Sequence, residues 1–210
     1  MKKIKLTYSL IGTLFISLAV SFFRLADFGT DPYTMFNLGF SGFLNMEFGV
    51  FIMISSLAAL ILIYFADRSM IGIGTLINIF LVGNLSDVTV STYLNLFGTP
   101  DNLILRVVFS ILGILSLSMG AALYIEAKEG VAPYDALPII VTDKLDGRFS
   151  FRVVRVVLDT AFALIGFLLG ATLGVNTILT AFFLGPLIQF FRDVFQKDLN
   201  TKELKYATKK

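Results

Sequence analysis

The chain has 210 residues, of which 56% are hydrophobic and 14% aromatic, more than a water-soluble domain needs for its core and surface together. It contains neither His nor Cys. Their absence excludes disulfides, thiol nucleophiles, imidazole bases and the usual zinc and haem ligands. The composition therefore predicts an integral membrane protein, argues against a redox or zinc enzyme, and leads us to expect no cofactor and no metal.

The charged residues follow the same pattern. They make up 15% of the chain and give a net charge of +2 from 17 Lys and Arg against 15 Asp and Glu. Most lie between apolar runs and form no basic face, so the sequence does not support nucleic-acid binding. The lipid bilayer is the expected partner, and the charges are interpreted as signals of membrane topology.

Six apolar stretches approach the length of about 18 or more residues that crosses a bilayer. They are residues 6–23, 48–65, 69–86, 107–125, 156–172 and 173–191. No convincing cleavage site precedes Arg24, so the first stretch is interpreted as an uncleaved span. With a cytoplasmic N-terminus, all of the 17 basic residues except Arg24 and Arg106 fall on the cytoplasmic side. We therefore expect a multi-pass cell-membrane protein with both termini cytoplasmic.

Two shorter apolar stretches, residues 32–44 and 133–142, cannot span the bilayer at about 1.5 Å per residue. Each begins with a Pro-Tyr pair, namely Pro32 with Tyr33 and Pro133 with Tyr134. Pro suits the first position of a helix, and Asp31 is suited to cap the first of these helices. They are predicted to be re-entrant or interfacial half-helices. Counted as spans they would give eight crossings, and their length favours six.

The chain aligns with itself. An offset of 101 residues places Gly29, Pro32 and Tyr33 opposite Gly130, Pro133 and Tyr134, and an offset of 102 places Gly72, Thr75 and Gly83 opposite Gly174, Thr177 and Gly185. Apolar helices align readily with one another, but sparse glycines, prolines and tyrosines in one register indicate a duplication.

With three crossings per half, the second copy would enter the bilayer upside down. The predicted fold class is an all-α membrane protein with six transmembrane helices in a 3+3 inverted repeat, each half with a short half-helix. The first repeat is residues 1–100, the second is 101–196, and 197–210 form a charged cytoplasmic tail.

Four segments carry a family resemblance. They are Gly-Thr-Asp-Pro-Tyr (29–33), Gly-Val-Ala-Pro-Tyr-Asp (130–135), Gly-Thr-Leu-Ile-Asn (74–78) and Gly-Pro-Leu-Ile-Gln (185–189). With these the chain resembles the YczE/YyaS/YitT group of bacterial integral membrane proteins. That group has Pro-Trp-Asp in its turn, whereas here Tyr replaces Trp and Thr34 stands where the first Asp would be. The resemblance implies a six-span protein of the bacterial plasma membrane and brings no activity.

The Pro-Tyr turns are the first candidate site. The free N–H groups at the start of each half-helix could face a solute near the midplane, as in transporters with broken helices. Tyr33 and Tyr134 would then line the same place, and Asp135 follows the second turn directly. The alternative interpretation is an interfacial helix with its tyrosine in the aromatic belt.

The fifth apolar stretch supplies a charged candidate. Arg155 and Asp159 are four residues apart and share one helix face. A carboxylate inside an apolar run is costly, so Asp159 should pair with Arg155 or face a hydrated cavity. Alternatively, the arginine reaches the headgroups and Asp159 is its structural counterion.

Polar residues of the third and sixth stretches form another candidate. Thr75 and Asn78 lie three residues apart, as do Thr177 and Thr180, so each pair shares a helix face and could bind a ligand where the repeats meet. Hydrogen bonding between packed helices is the alternative.

These features favour a small secondary transporter for an unidentified small solute, bound near the bilayer midplane where the repeats meet. The alternative is a non-transporting scaffold or a lipid- or partner-binding protein. An enzyme is not expected, since the sequence offers no catalytic triad, carboxylate pair or metal cluster. The solute, the coupling ion and homo-oligomerisation stay open at this point.

Overall fold

A computed structural model of the chain describes residues 2–146 and 148–207, and within them the chain forms eight α-helices. The helices are α1 (Lys2–Ala26), α2 (Pro32–Phe43), α3 (Phe48–Ala66), α4 (Ile73–Phe97), α5 (Leu103–Ala127), α6 (Pro133–Lys144), α7 (Phe151–Leu168) and α8 (Val175–Ala207), with a short 3₁₀ helix at Arg68–Met70. The predicted tail, 197–210, continues α8 as far as Ala207, and its last three residues lie outside the described residues.

The centre of the molecule is an antiparallel pair, α1 and α5. Phe23 of α1 contacts Gly113, whereas Gly12 lies against Gly120, where an added Cβ would come within 2.8 Å of the Gly120 carbonyl oxygen. The buried side of α1 also carries small hydroxyl residues at every fourth position: Ser9, Thr13, Ser17 and Ser21. Small residues let two helix backbones approach closely, which is how membrane helices pack without large apolar side chains.

The remaining helices are arranged around this pair. Helix α4 packs on α1, α8 packs on α5, and α3 packs on α4. The half-helices pack across the molecule, with α2 mainly against α7 and α6 mainly against α3. The first half of the chain therefore supplies the main neighbour of α6, and the second half supplies that of α2.

Five helices of the described chain are long and apolar enough to cross a membrane: α1, α3, α4, α5 and the part of α8 up to Lys197. The protein is thus a multi-pass membrane protein. Helix α7, the counterpart of the predicted span 156–172, is not among the five because it has only 18 residues and carries Arg152, Arg155 and Asp159. The six-span arrangement is therefore not confirmed.

The structure corrects the boundaries of the third and fifth predicted stretches. The stretch 69–86 begins in the 3₁₀ helix, and α4 runs from Ile73 to Phe97, because its polar C-terminal third continues the helix although its hydropathy is low. The stretch 156–172 ends early, at Leu168, because Gly170 adopts a left-handed backbone conformation with φ of 96°.

The half-helices agree with prediction at their starts. Pro32 and Pro133 occupy the first turns of α2 and α6, and the Asp31 carboxylate accepts a hydrogen bond of 3.1 Å from the backbone N–H of Thr34. The predicted N-cap is confirmed, and the predicted range 32–44 is one residue too long. The range 133–142 is two residues too short, because α6 continues to Lys144.

Candidate functional site

The two half-helices meet through their tyrosines. The rings of Tyr33 and Tyr134 stack with centroids 4.6 Å apart and planes inclined by 15°. Phe162 of α7 stands edge-on to both, 6.1 Å from the Tyr33 centroid and 5.3 Å from that of Tyr134. The first turns of α2 and α6, which are 101 residues apart in sequence, thus share one aromatic cluster.

The hydroxyl of Tyr33 lies in a neutral polar environment. Its oxygen is 2.8 Å from Ser56 Oγ and 3.1 Å from Ser55 Oγ, both in the middle of α3. Asn37, one turn after Tyr33, donates from Nδ2 to the Tyr33 carbonyl over 2.7 Å and accepts a hydrogen bond from Ser55. We call Asn37, Ser55 and Ser56 the serine cluster. Its three side chains carry hydrogen-bonding groups and no formal charge.

The hydroxyl of Tyr134 lies instead in a charged environment. It donates a hydrogen bond to the carboxylate of Asp159, in the middle of α7. Arg155 pairs with Asp159 over 3.1 Å and with Asp135 over 2.7 Å, and its guanidinium lies 4.6 Å from the centroid of the Tyr134 ring. We call Asp135, Arg155 and Asp159 the charged cluster. The predicted pair of Arg155 and Asp159 is confirmed.

The charged cluster holds more negative than positive side chains. Two carboxylates, Asp135 and Asp159, pair with the one guanidinium of Arg155. A third acidic residue, Asp31, caps α2 directly before the aromatic cluster. In the described part of the chain, no three acidic side chains are placed to hold a metal ion.

The threonines that the sequence singled out lie elsewhere. Thr75, at the start of α4, donates to the Val131 carbonyl over 2.9 Å in the turn that precedes α6. Thr177, at the start of α8, lies against Gly29 in the turn that precedes α2. Since these turns follow the C-terminal ends of the antiparallel helices α1 and α5, the two threonines are at opposite ends of that pair.

These turns make matching backbone contacts. Gly74 N–H donates to the Glu129 carbonyl over 2.8 Å, and Asn176 N–H donates to the Phe28 carbonyl over 2.9 Å. The two donors, Gly74 and Asn176, are 102 residues apart, and the two acceptors, Phe28 and Glu129, are 101 residues apart, so both pairs follow the offsets of the repeat. Each turn is thus fixed against the first turn of the last helix of the other half.

The two remaining predicted residues are Thr180 and Asn78. Thr180 donates to the Thr177 carbonyl within α8 over 3.1 Å, and Asn78 is half-buried on α4. The aromatic cluster and its partners bring together Pro32, Tyr33, Pro133, Tyr134, Asp135, Arg155 and Asp159, with Thr75, Asn78, Thr177 and Thr180 on the helices that support the turns.

Sequence reasoning missed the serine cluster and Phe162. Ser55 and Ser56 are adjacent hydroxyl residues within an otherwise apolar helix, and Asn37 lies four residues after Tyr33, on the same face of α2. Those two signals could have indicated a polar partner for the Tyr33 hydroxyl. Phe162 carries no comparable signal, because the chain contains 22 phenylalanines.

A cavity of about 350 Å³ lies beside the first of the two turns. Thr30, just before α2, and Leu38, on α2, belong to its lining. Leu38 and Tyr33 pack against the same buried cluster around Val20. The space therefore reaches the helix that carries one of the stacked rings. Its other lining residues are Phe23, Arg24, Asp27, Gly29, Val90, Gly170, Ala171 and Thr172.

Comparison with known proteins gives a family. The model of a family of unknown function, DUF6198, matches residues 3–193. The chain belongs to this family. An uncharacterised protein of Haemophilus influenzae is 30% identical over 173 residues, covering 82% of this chain and 76% of that protein. The uncharacterised protein YyaS of Bacillus subtilis is 24% identical over 198 residues, covering 94% and 97%, in agreement with the YyaS-type resemblance. No solved structure matches the chain.

Proposed function

We propose that the protein is a small secondary transporter of the cell membrane, built as an inverted repeat with both termini cytoplasmic. Helix lengths support the repeat: α1 and α5 have 25 residues each, and α2 and α6 have 12 each. Backbone conformations at the offset of 101 also agree, since Asp27 and Lys128 have φ of 50° and 53° and Gly29 and Gly130 have φ of 83° and 111°. The antiparallel packing of α1 and α5 supports opposite orientations of the two halves.

The stacking of Tyr33 on Tyr134 is the observation that carries this proposal. It joins the starts of two half-helices at the level of the middle of α3 and α7, beside polar and charged side chains. Such groups are expensive in the hydrocarbon layer and are retained mainly where they bind or conduct something. Broken helices that meet at mid-depth between two repeats form the binding sites of several transporter folds. We place the solute at this aromatic cluster.

The cavity beside Gly29 fits the same function. It adjoins α2 on the side of the C-terminal end of α1, which would be the outer side when the N-terminus is cytoplasmic. Alternating access requires a path from each face to one central site. We propose that this cavity is part of the outer path and that movement of one repeat against the other opens the opposite path.

One observation favours the second candidate, a scaffold that transports nothing. Both tyrosine hydroxyls already have internal partners, Ser56 for Tyr33 and Asp159 for Tyr134. In a scaffold these bonds would only hold helices together. A scaffold needs no access from water to the aromatic cluster, and that requirement separates the two functions.

Access can be measured directly because the chain contains no cysteine. Ser55→Cys places one thiol beside the Tyr33 hydroxyl. Ser17→Cys is the matched control, since Ser17 is fully buried in α1. For a transporter, we expect a membrane-impermeant methanethiosulfonate reagent to modify the Ser55→Cys protein from either face of sealed vesicles, and the Ser17→Cys protein from neither. If the reagent modifies the Ser55→Cys protein from neither face, or from one face only, the scaffold is favoured.

The inverted repeat has a separate test. Glu47, at the start of α3, and Arg148, just before α7, are both exposed and occupy equivalent repeat positions. With three crossings per half, single cysteines at these positions should be labelled from opposite sides of the membrane. Labelling of both from the same side would indicate four crossings per half and contradict the inverted repeat.

A further inference from the structure

The charged cluster shows which kind of group this site accepts. The Arg155 guanidinium lies over the Tyr134 ring, 4.6 Å from its centroid, and two of its nitrogens contact Asp135 and Asp159. A planar cation on an aromatic face, with carboxylates at its edge, combines cation–π attraction with charge-assisted hydrogen bonds. The protein thus carries, on its own chain, an example of a bound organic cation.

The charges around this guanidinium are unbalanced. Asp135 and Asp159 both pair with one arginine, Arg155, so the cluster holds one carboxylate more than its guanidinium balances. Carboxylates without a paired cation are costly inside a membrane. An entering cation would lower that cost, whereas an entering anion would raise it. The local charge therefore favours a positively charged solute.

The position of Arg155 also allows exchange. Its side chain is 30% exposed and that of Asp135 is 48% exposed, so their ion pair is at the edge of the cluster, while Asp159 is less exposed at 22%. The pair with Asp159 is itself only partly buried, so giving it up costs less than breaking a fully buried ion pair. Arg155 could then keep Asp135 and release Asp159 together with the face of Tyr134.

We propose that the site binds a small organic cation, of the guanidinium or primary ammonium class, in competition with Arg155. The solute takes the Tyr134 face and the Asp159 carboxylate, and Arg155 returns to them when the solute leaves. This inference rests on the proposed transporter function and names its substrate class. Arg155 is thus a tethered substitute for the solute rather than a fixed structural counterion.

The test is thermal unfolding of the full-length protein in detergent with methylguanidinium chloride as the probe, and sodium chloride and sodium acetate at equal concentration as references. We expect methylguanidinium alone to raise the unfolding temperature. Arg155→Gln removes the competitor and should tighten its binding about tenfold. Arg152→Gln is the matched control. It removes an exposed arginine one turn earlier on the same helix and should leave the affinity unchanged.

Two further variants remove negative charge. Asp159→Asn should weaken methylguanidinium binding about tenfold, because it removes the main carboxylate partner. Asp135→Asn should weaken it about fivefold, because it removes the excess negative charge and leaves Arg155 to Asp159 alone. Asp135 is the more exposed of the two carboxylates, at 48% against 22%, so this variant serves if Asp159→Asn or Arg155→Gln does not fold.

Two results would overturn the proposal. The first is that methylguanidinium raises the unfolding temperature no more than sodium chloride does, both for the wild type and for the Arg155→Gln protein. The other is stabilisation by acetate that Arg155→Gln abolishes, which would make Arg155 an anion-binding residue. If the Ser55→Cys protein is modified from both faces and methylguanidinium has no effect, the transporter stands and the cation class fails. If methylguanidinium stabilises the protein but the thiol is not modified, the cation-binding site stands and the proposed transport function fails.

Discussion

The two tyrosines of the aromatic cluster have equivalent positions and different partners. Tyr33 lies among neutral side chains, with hydrogen bonds to Ser55 and Ser56, whereas Tyr134 donates to a carboxylate and carries a guanidinium on its face. The rings nevertheless stack almost in parallel. The stacked geometry is thus compatible with either a neutral or a charged hydroxyl partner, so the partner can change while the rings stay in place.

The position of the partner differs as well. At the offset of 101, Asp159 corresponds to Ala58, and Ser55 corresponds to Val156. The Tyr33 hydroxyl is therefore bound by α3 two to three residues before the position at which α7 binds Tyr134, because both Ser55 and Ser56 are its partners. A shift of three residues keeps Ser55 on the same helix face and Ser56 follows it directly, so two halves with different polar residues still bring their rings together.

The turns before the half-helices should be the most sensitive positions, because they place both rings. Gly130 has φ of 111°, and an added Cβ would collide with Thr75 Oγ1 and come within 2.5 Å of the Gly72 nitrogen. We expect Gly130→Ala to lower the free energy of unfolding by about 3 kcal/mol. Gly29→Ala, which meets Gly174 in the same way, should cost about as much.

Thermal or denaturant unfolding in detergent measures these effects. Gly42→Ala is the control, because Gly42 lies in α2 and nothing stands within 4 Å of an added Cβ. This change should be neutral or slightly stabilising. An effect of Gly29→Ala close to zero, beside a large effect of Gly130→Ala, would contradict the equivalence of the two turns.

The charged partner should come next in size. Asp159→Asn takes away the charge that faces Arg155, and it weakens the acceptor of the Tyr134 hydroxyl. Because both charged side chains are partly exposed, we expect a loss of about 2 kcal/mol, below the range for a fully buried pair. Thr160→Ala, at the exposed neighbouring position, should have little effect in the same unfolding measurement. Equal stability of Asp159→Asn and the wild type would show that the ion pair is only peripheral.

The neutral partner should contribute least. A double-mutant cycle with Tyr33→Phe and Ser56→Ala isolates the bond of 2.8 Å between the two hydroxyls. We expect a coupling free energy of about 1 kcal/mol, the value of an ordinary hydrogen bond between neutral groups. A cycle with Tyr134→Phe and Asp159→Asn should give a larger coupling. The reverse order would mean that the charge adds nothing to the way the rings are fixed.

Local features of the site could be predicted from the sequence. Pro32 and Pro133 begin α2 and α6 because proline lacks the N–H that a helix start does not need, and Asp31 caps α2 because its side chain can accept from the third residue. The pair of Arg155 and Asp159 follows from a spacing of four residues on one helix. Each of these depends on neighbours within one turn of the chain.

The tertiary partners could not be predicted in the same way. Hydropathy shows that α3 is apolar but does not fix its rotation, so nothing indicated that Ser55 and Ser56 face Tyr33. Spacing alone also misleads, since the glycines at 166, 170 and 174 recur every fourth residue. Gly166 does lie against the backbone of Met35 in α2, but α7 ends before Gly170, which breaks the stripe.

The crossed packing of the half-helices has a consequence for biosynthesis. During translation α2 is made before α7, its principal neighbour, so the first four helices enter the bilayer with an unfinished contact. The contact of α2 is completed only when α7 of the second half is inserted. The same half brings α6, which then packs against α3. Residues 1–100 made alone would keep the bonds of Tyr33 to α3 but lack α7 and the Tyr134 ring on which Tyr33 stacks, so two separately produced fragments would need each other to regain the stack.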